Sequence, residues 1–179
     1  MKFSKKVLEK AKKIKILLSD VDGVLTKGEL ILLNDGQEVK IWDIKDRLAY
    51  TLIWNSGLNI KIGWISGRGC KQLEDRAKEL RLEYFYQNVK DKLVVYDQIL
   101  KISKCFPDEI AYIGDDWLDI SILKRVGLSV CPRDALEDIK KYVNFVSSYN
   151  SGCGVFREVV ELILRAQNKW DYVFSIYNK

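Results

Sequence analysis

Aspartates stand in two short clusters, Asp20-Val21-Asp22-Gly23 and Gly114-Asp115-Asp116, with Asp119 three residues beyond the second. Each cluster leaves an apolar run, Ile16-Leu17-Leu18 in one case and Ala111-Tyr112-Ile113 in the other, so neither reads as a solvated surface charge. Carboxylates gathered in a crevice of low dielectric repel one another, and either protonation or a bound cation relieves the repulsion. Donors that are all oxygen suit a hard cation, and Mg²⁺ takes one or two carboxylates while keeping several waters. Gly23 permits close passage of the backbone beside a ligand. Alone, D-x-D-G is equally a calcium loop or a plain turn; a second carboxylate cluster at another strand end favours a catalytic cation site. Ser66-Gly67-Arg68 adds a hydroxyl, backbone N–H groups and a guanidinium where an anion binds, although the same tripeptide also caps ordinary helices. Lys92 opens a helical segment, where the macrodipole disfavours a cation unless an anion lies nearby; the alternative is a surface lysine.

What the chain lacks narrows the chemistry further. It has no histidine, which removes Ser-His-Asp and Cys-His catalysis and imidazole metal sites. Cys70, Cys105, Cys131 and Cys153 stand singly, without a C-x-x-C pair, and read as reduced, partly buried thiols. Thirty Lys+Arg against 25 Asp+Glu give a net charge of +5, which suits an acidic substrate. The basic residues are spread along the chain and not set in a stripe between aromatics, so no nucleic-acid partner is expected. No apolar run reaches the roughly 18 residues of a membrane span. Residues 1–15 read as a short amphipathic helix without the features of a signal peptide, so a cytoplasmic protein is expected.

The elements that must position these residues follow from periodicity. The 179 residues are read as one domain, with no repeat and no linker. Short apolar runs at 15–20, 59–65, 83–86, 109–113, 128–131 and 143–146 predict strands. Segments 46–56, 69–80, 91–102, 116–125, 135–140 and 155–167 have helical spacing. Asn34-Asp35-Gly36 lies between two β-rich runs and predicts a hairpin over 29–42. Alternating strands and helices predict an α/β, Rossmann-like, mostly parallel sheet with helices on both faces. Ligands in such folds bind beyond the carboxyl ends of the strands, where both aspartate clusters and Ser66 fall.

Together these motifs resemble the haloacid dehalogenase superfamily of phosphohydrolases. Within it the similarity is to the sugar-acid branch that hydrolyses 3-deoxy-D-manno-octulosonate (KDO) 8-phosphate, from about residue 14 to 167. Carrying the similarity are Asp20-Val21-Asp22-Gly23-Val24-Leu25-Thr26, Ile65-Ser66-Gly67-Arg68, Leu73-Glu74-Asp75-Arg76, Ala111 through Asp119, Val126-Gly127-Leu128-Ser129-Val130 and Gly154-Val155-Phe156-Arg157-Glu158. The resemblance implies a capless fold with a β-hairpin after the first strand. It also implies a cytoplasmic, Mg²⁺-dependent phosphatase in lipopolysaccharide biosynthesis.

By that resemblance Asp20 is the nucleophile that forms an aspartyl-phosphate. Asp22 protonates the leaving sugar oxygen and then serves as base for water. Mg²⁺ is held by Asp20, Asp115 and the main-chain carbonyl of Asp22. Ser66 and Lys92 grip the phosphoryl oxygens, and Asp116 and Asp119 orient the metal's waters or Lys92. Arg68, Arg76 and the segment Asp43, Lys45, Asp46 and Arg47 face the sugar acid. That segment departs from the branch's usual N-V-R-D-G, a usual basic residue is Thr51 here, and Cys153 stands where Arg is common. Arg47, one turn before Thr51, is expected to replace the charge lost there. Arg68 argues against the alternative substrate, a nine-carbon sugar-acid 9-phosphate, whose hydrolases tend to carry an acidic residue there. A non-catalytic tetramerisation module, the remaining alternative, does not need the four residues Asp20, Asp22, Lys92 and Asp115. With no cap domain, the resemblance implies a homotetramer in which hairpins close neighbouring sites. The aromatic tail, residues 168–179, is either a second flap or plain packing.

Overall fold

The computed structural model describes residues 3–179, so Met1 and Lys2 of the expected amphipathic helix lie outside it. Ser4 starts that helix, α1 (Lys5–Ala11), by accepting the Val7 N–H on its side chain. The chain continues through β1 (Ile16–Ser19), a hairpin of β2 (Ile31–Leu32) and β3 (Glu38–Val39), α2 (Ile44–Asn55), β4 (Lys61–Ile65), α3 (Lys71–Glu79), β5 (Tyr84–Tyr86) and α4 (Lys92–Ser103). Then come β6 (Ile110–Ile113), α5 (Ile120–Leu123), β7 (Leu128–Cys131), α6 (Glu137–Lys140), β8 (Phe145–Val146), α7 (Val155–Ala166) and α8 (Trp170–Tyr177).

Six strands form one sheet in the order β5-β4-β1-β6-β7-β8, every neighbouring pair parallel. β1 is buried on both faces: Leu17 joins the core under α1, α2, α3 and α7, and Ile16 and Leu18 join the one under α4, α5 and α6. The α/β class and both helical layers match the expectation from sequence.

The differences are local and have chemical reasons. Asp43 accepts the Lys45 N–H at 2.7 Å and so starts α2 at Ile44, two residues before the expected start at Asp46. The segment expected as one helix over 116–125 is a 3-10 turn at Trp117–Asp119 followed by the single-turn α5, because Asp116 caps the turn. The hairpin is much shorter than its β-rich sequence suggests, with two residues paired on each side. Residues 170–177 form a helix: Val173 is buried, Arg165 covers the Trp170 ring at 4.0 Å, and Tyr177 OH accepts from Asn55 at 3.1 Å. Within the chain Trp170 and Val173 pack, while Tyr172, Phe174 and Tyr177 are more than half exposed.

An aromatic ladder ties the hairpin's base to the core. Trp42 stacks on Trp64 with ring centroids 5.4 Å apart, and Tyr50 stacks on Phe156 at 4.6 Å. The fully buried Trp64 donates its indole N–H to Tyr50 OH at 2.9 Å, joining the two pairs. Tyr50→Phe should therefore lower stability by about 1–3 kcal/mol, because it orphans a buried donor. Urea unfolding measures this, and an unchanged midpoint would show that the indole has another acceptor.

Candidate active site

Strand register brings the two aspartate clusters together. Ser19 is paired with Ile113 on one side of β1 and with Trp64 on the other. The chain leaving β1 therefore lies beside the chain leaving β6, and Asp20 N–H donates to the Ile113 carbonyl at 2.9 Å. The connections run outward from β1 through β4 and β5, then return to β6 on its other side. A reversal of this kind opens a crevice at the carboxyl ends of the strands. Ligand atoms of Asp20, Asp115 and Asp119 lie there within 4.8 Å of one another. Gly23, at φ +84°, closes the corner: a Cβ built on it would stand 2.0 Å from Asp115 Oδ2. No side chain fits at 23 without moving that carboxylate.

Lys92, the first residue of α4, sends its ammonium into this cluster. Its Nζ is 2.7 Å from Asp20 Oδ2 and 2.7 Å from Asp119 Oδ1. The anion that its place at a helix start calls for is thus supplied by the protein itself. Asp119 organises more than the sequence suggests. Tyr112 OH donates to its Oδ1 at 2.6 Å, and the N–H groups of Asp115 and Asp116 donate to its Oδ2 at 3.0 and 3.2 Å. Asp116 is different: it is exposed, and its carboxylate accepts the Trp117 N–H at 2.5 Å. Ser66 is buried at the end of β4, its hydroxyl donating to the Arg68 carbonyl at 2.8 Å. The Ser66–Arg68 turn stands apart from α3, which begins at Lys71.

Burial dominates the electrostatics. It pushes the Asp20 carboxyl up to about 7, with the charge of Asp119 adding and Lys92 opposing. Asp115 is pushed up to about 8 by burial and then by the charges of Asp20 and Asp119. Burial works against the Lys92 ammonium, but Asp20 and Asp119 outweigh it and hold that group above its ordinary value. Asp115 Oδ1 is buried with no hydrogen-bond partner among the described residues. Hard oxygen donors, an orphaned carboxylate oxygen and mutual repulsion together fit a bound Mg²⁺.

Asp22, half-buried, faces the hairpin. Its Oδ1 accepts from Lys40 Nζ at 2.6 Å and from Thr26 Oγ1 at 3.3 Å. Lys40 also pairs with Glu38 at 2.7 Å, and the other Glu38 oxygen takes Arg68 at 2.7 Å. Neither Lys40 nor Glu38 stands out in the sequence.

Of the residues expected to face the sugar, Asp43, Asp46, Arg47 and Arg76 line one cavity of about 10 Å³, too small for a sugar, and Lys45 lies outside it. Asp43 lines a cleft of about 350 Å³ under the hairpin with Thr26, Ile41, Trp42 and Cys153. Lys45 lines a different cavity, with Tyr149 and Arg157. Asp46 is buried and accepts the Arg157 N–H at 2.8 Å, fastening α2 to the start of α7; burial pushes it up to about 7. Arg47 lies against Glu79 at 3.3 Å, Arg76 pairs with Glu79 at 2.6 Å, and Arg76 covers the Trp42 ring at 5.8 Å.

A parallel sheet with paired aspartates after its central strand, a serine after the next and a lysine locked between carboxylates defines a haloacid dehalogenase-like hydrolase. The profile of that family matches residues 75–159. The chain belongs to the 3-deoxy-D-manno-octulosonate 8-phosphate phosphatase family. It is 39% identical to the Yersinia pestis enzyme of that name, over 91% of this chain and 86% of that protein. The crystal structure of the Yersinia pestis phosphatase superposes with a TM-score of 0.91 at 37% identity, covering 94% of this chain and 90% of that one. The Moraxella catarrhalis phosphatase, solved with magnesium, phosphate and KDO, gives 0.93 at 31% identity over 98% of this chain and 99% of the other.

If Asp20 and Asp115 hold the ion, its binding displaces protons, because burial raises both carboxyls, to about 7 and about 8. Mg²⁺ affinity should therefore rise between pH 6 and 8.5, with protons released on binding near pH 7. Calorimetry in two buffers of different ionisation enthalpy counts them. An affinity independent of pH over that range would refute the assignment.

Proposed function

We infer that this protein is a Mg²⁺-dependent phosphomonoesterase that converts KDO 8-phosphate to KDO and phosphate, a step of lipopolysaccharide biosynthesis. The observation that carries the reading is Lys92 bridging Asp20 and Asp119 beside Asp115, in the fold of a phosphatase that binds magnesium, phosphate and KDO. The named relatives act on the eight-carbon ester, which favours it over the nine-carbon alternative. No helix among the described residues is long and apolar enough to cross a membrane.

The surroundings of these residues support the roles that the resemblance implies. Asp20, fixed by the Val21 N–H at 2.6 Å and by Lys92, attacks phosphorus. As its oxygen bonds to phosphorus, the ester bond to the sugar breaks, and Asp22 gives the departing oxygen a proton. Asp22 then takes a proton from water as that water attacks the aspartyl-phosphate, returning Asp20 and releasing phosphate. Ser66 and Lys92 hold the phosphoryl oxygens. Asp20, Asp115 and the Asp22 carbonyl would hold Mg²⁺, with Asp119 behind them, and the bound ion neutralises charge on the transferring group. Arg68, freed from Glu38, is suited to the sugar carboxylate, with Asp43 in the cleft beneath the hairpin; Asp46 is taken by Arg157, Arg47 and Arg76 by Glu79, and Lys45 lines another cavity.

The hairpin supports a homotetrameric reading. Ile41, which lines the cleft with Asp43, is 63% exposed, and Leu32 and Ile44, elsewhere on the hairpin and at the start of α2, are 61% and 72% exposed. Such an apolar edge next to an open crevice suits contact with a second copy of the chain.

Two experiments test these readings. Asp20→Asn should abolish turnover of KDO 8-phosphate, by 10⁴-fold or roughly that order, with the fold intact, because an amide cannot form the acyl-phosphate. Phosphate release with Mg²⁺ measures it, and substantial turnover by the variant would mean that another group attacks phosphorus. Replacing residues 30–39 with a short Gly-Ser loop should give smaller species on sedimentation and lose sugar-acid phosphatase activity. A wild-type protein fully active as a monomer would overturn the tetramer.

A further inference from the structure

Glu38 is turned inward on a hairpin whose tip, residues 32–37, is exposed. Its side chain is 12% exposed, and its two oxygens answer two cations from different elements. One accepts from Lys40 Nζ at 2.7 Å and the other from the Arg68 guanidinium at 2.7 Å. Lys40 is buried and also reaches Asp22 at 2.6 Å. Arg68 is 54% exposed, and among the described residues Glu38 is its only side-chain partner.

The two ends of this bridge are unequal. Breaking the Lys40 end would leave charges apart in a buried setting, which is costly. Breaking the Arg68 end exposes a guanidinium to water, and a pair so open to solvent is weak. If Arg68 turns to another anion, Glu38 keeps Lys40 and no buried charge is orphaned. Arg68 stands two residues after Ser66, at the strand end that opens on the crevice. A carboxylate ligand that reaches Arg68 there meets a guanidinium already taken by a carboxylate of the chain, and like charges so close repel.

We propose that Glu38 is a specificity-determining residue that acts as a built-in competitor: it occupies Arg68 in place of the ligand's carboxylate and lets go when a sugar acid is seated. The proposal rests on the phosphatase reading above and deepens it. Substrate and product both carry the carboxylate, so the competition weakens both by the same factor. It raises KM and eases the departure of KDO without altering the chemical step. A phosphate ester without a carboxylate leaves the Glu38–Arg68 pair closed and meets no competition.

The test removes the competing charge and keeps the shape. In full-length Glu38→Gln with Mg²⁺, KM for KDO 8-phosphate and the inhibition constant of KDO should each fall by about fivefold, the scale of a partly exposed ion pair. KM for p-nitrophenyl phosphate, which has no carboxylate, should stay within about twofold. In an Arg68→Gln background the same change at Glu38 should shift KDO inhibition by less than about twofold, because nothing remains to compete for. Glu38→Asp, too short to span both cations, should tighten KDO binding in the same direction even if the glutamine variant does not fold. Weaker KDO binding by these variants would show that Glu38 braces Arg68 for its ligand. That result, an unchanged KDO affinity, or an equal shift on p-nitrophenyl phosphate would each overturn the proposal. If wild-type protein does not turn over KDO 8-phosphate, the functional reading fails. Inhibition of p-nitrophenyl phosphate hydrolysis by KDO, tightened in Glu38→Gln or not, then still decides the role of Glu38.

Discussion

Carboxylate crowding at the junction of β1 and β6 is the constraint on which the site depends. Asp20, Asp22, Asp115 and Asp119 bring four potential negative charges to one crevice, and Lys92 and Lys40 answer two of them. The remainder equals the charge of one divalent cation. Burial first, and then the neighbouring carboxylates, push Asp20 up to about 7 and Asp115 up to about 8. The register of β1 against β6 sets the distance between the clusters, and Gly23 allows them to close.

The site is held by a few polar side chains in fixed positions. Asp119 joins Lys92, Tyr112 and the N–H groups of the loop after β6, so the metal-facing carboxylates sit on an already ordered scaffold. On the opposite side, Asp22, Lys40, Glu38 and Arg68 form a continuous chain of ion pairs. It runs from Asp22 at the crevice to the half-exposed Arg68. Trp42, stacked on Trp64, anchors the base of the segment that carries this chain.

Much of this was legible in the sequence where a single physical signal dominates. The unbroken apolar run of β1 identifies a strand buried on both faces, and the rule for strand ends then locates Asp20, Asp115 and Ser66. Legibility fails where a side chain answers to a partner far along the chain. Lys40, in an alternating β-rich run, looks like the solvent face of a hairpin, and only the fold brings it to Asp22. Asp46 looks like a ligand-facing carboxylate until α7 arrives to take its oxygen. Asp43 and Asp116 are caps, and caps shift or split a helix that periodicity alone would place elsewhere. The aromatic tail hides α8, because its helical face shows only once α7 and Asn55 are beside it.

The absence of histidine has a consequence for spectroscopy. In most proteins imidazoles fill the titration window around neutrality and obscure whatever carboxyl groups protonate there. Here no imidazole exists, while burial moves Asp20, Asp46 and Asp115 into that window. The infrared carbonyl stretch of protonated carboxylic acids, followed between pH 6 and 8, therefore reports directly on these side chains. Two of them lie in the crevice and the third joins α2 to α7, so the active site and a joint of the scaffold can be watched in the same spectrum.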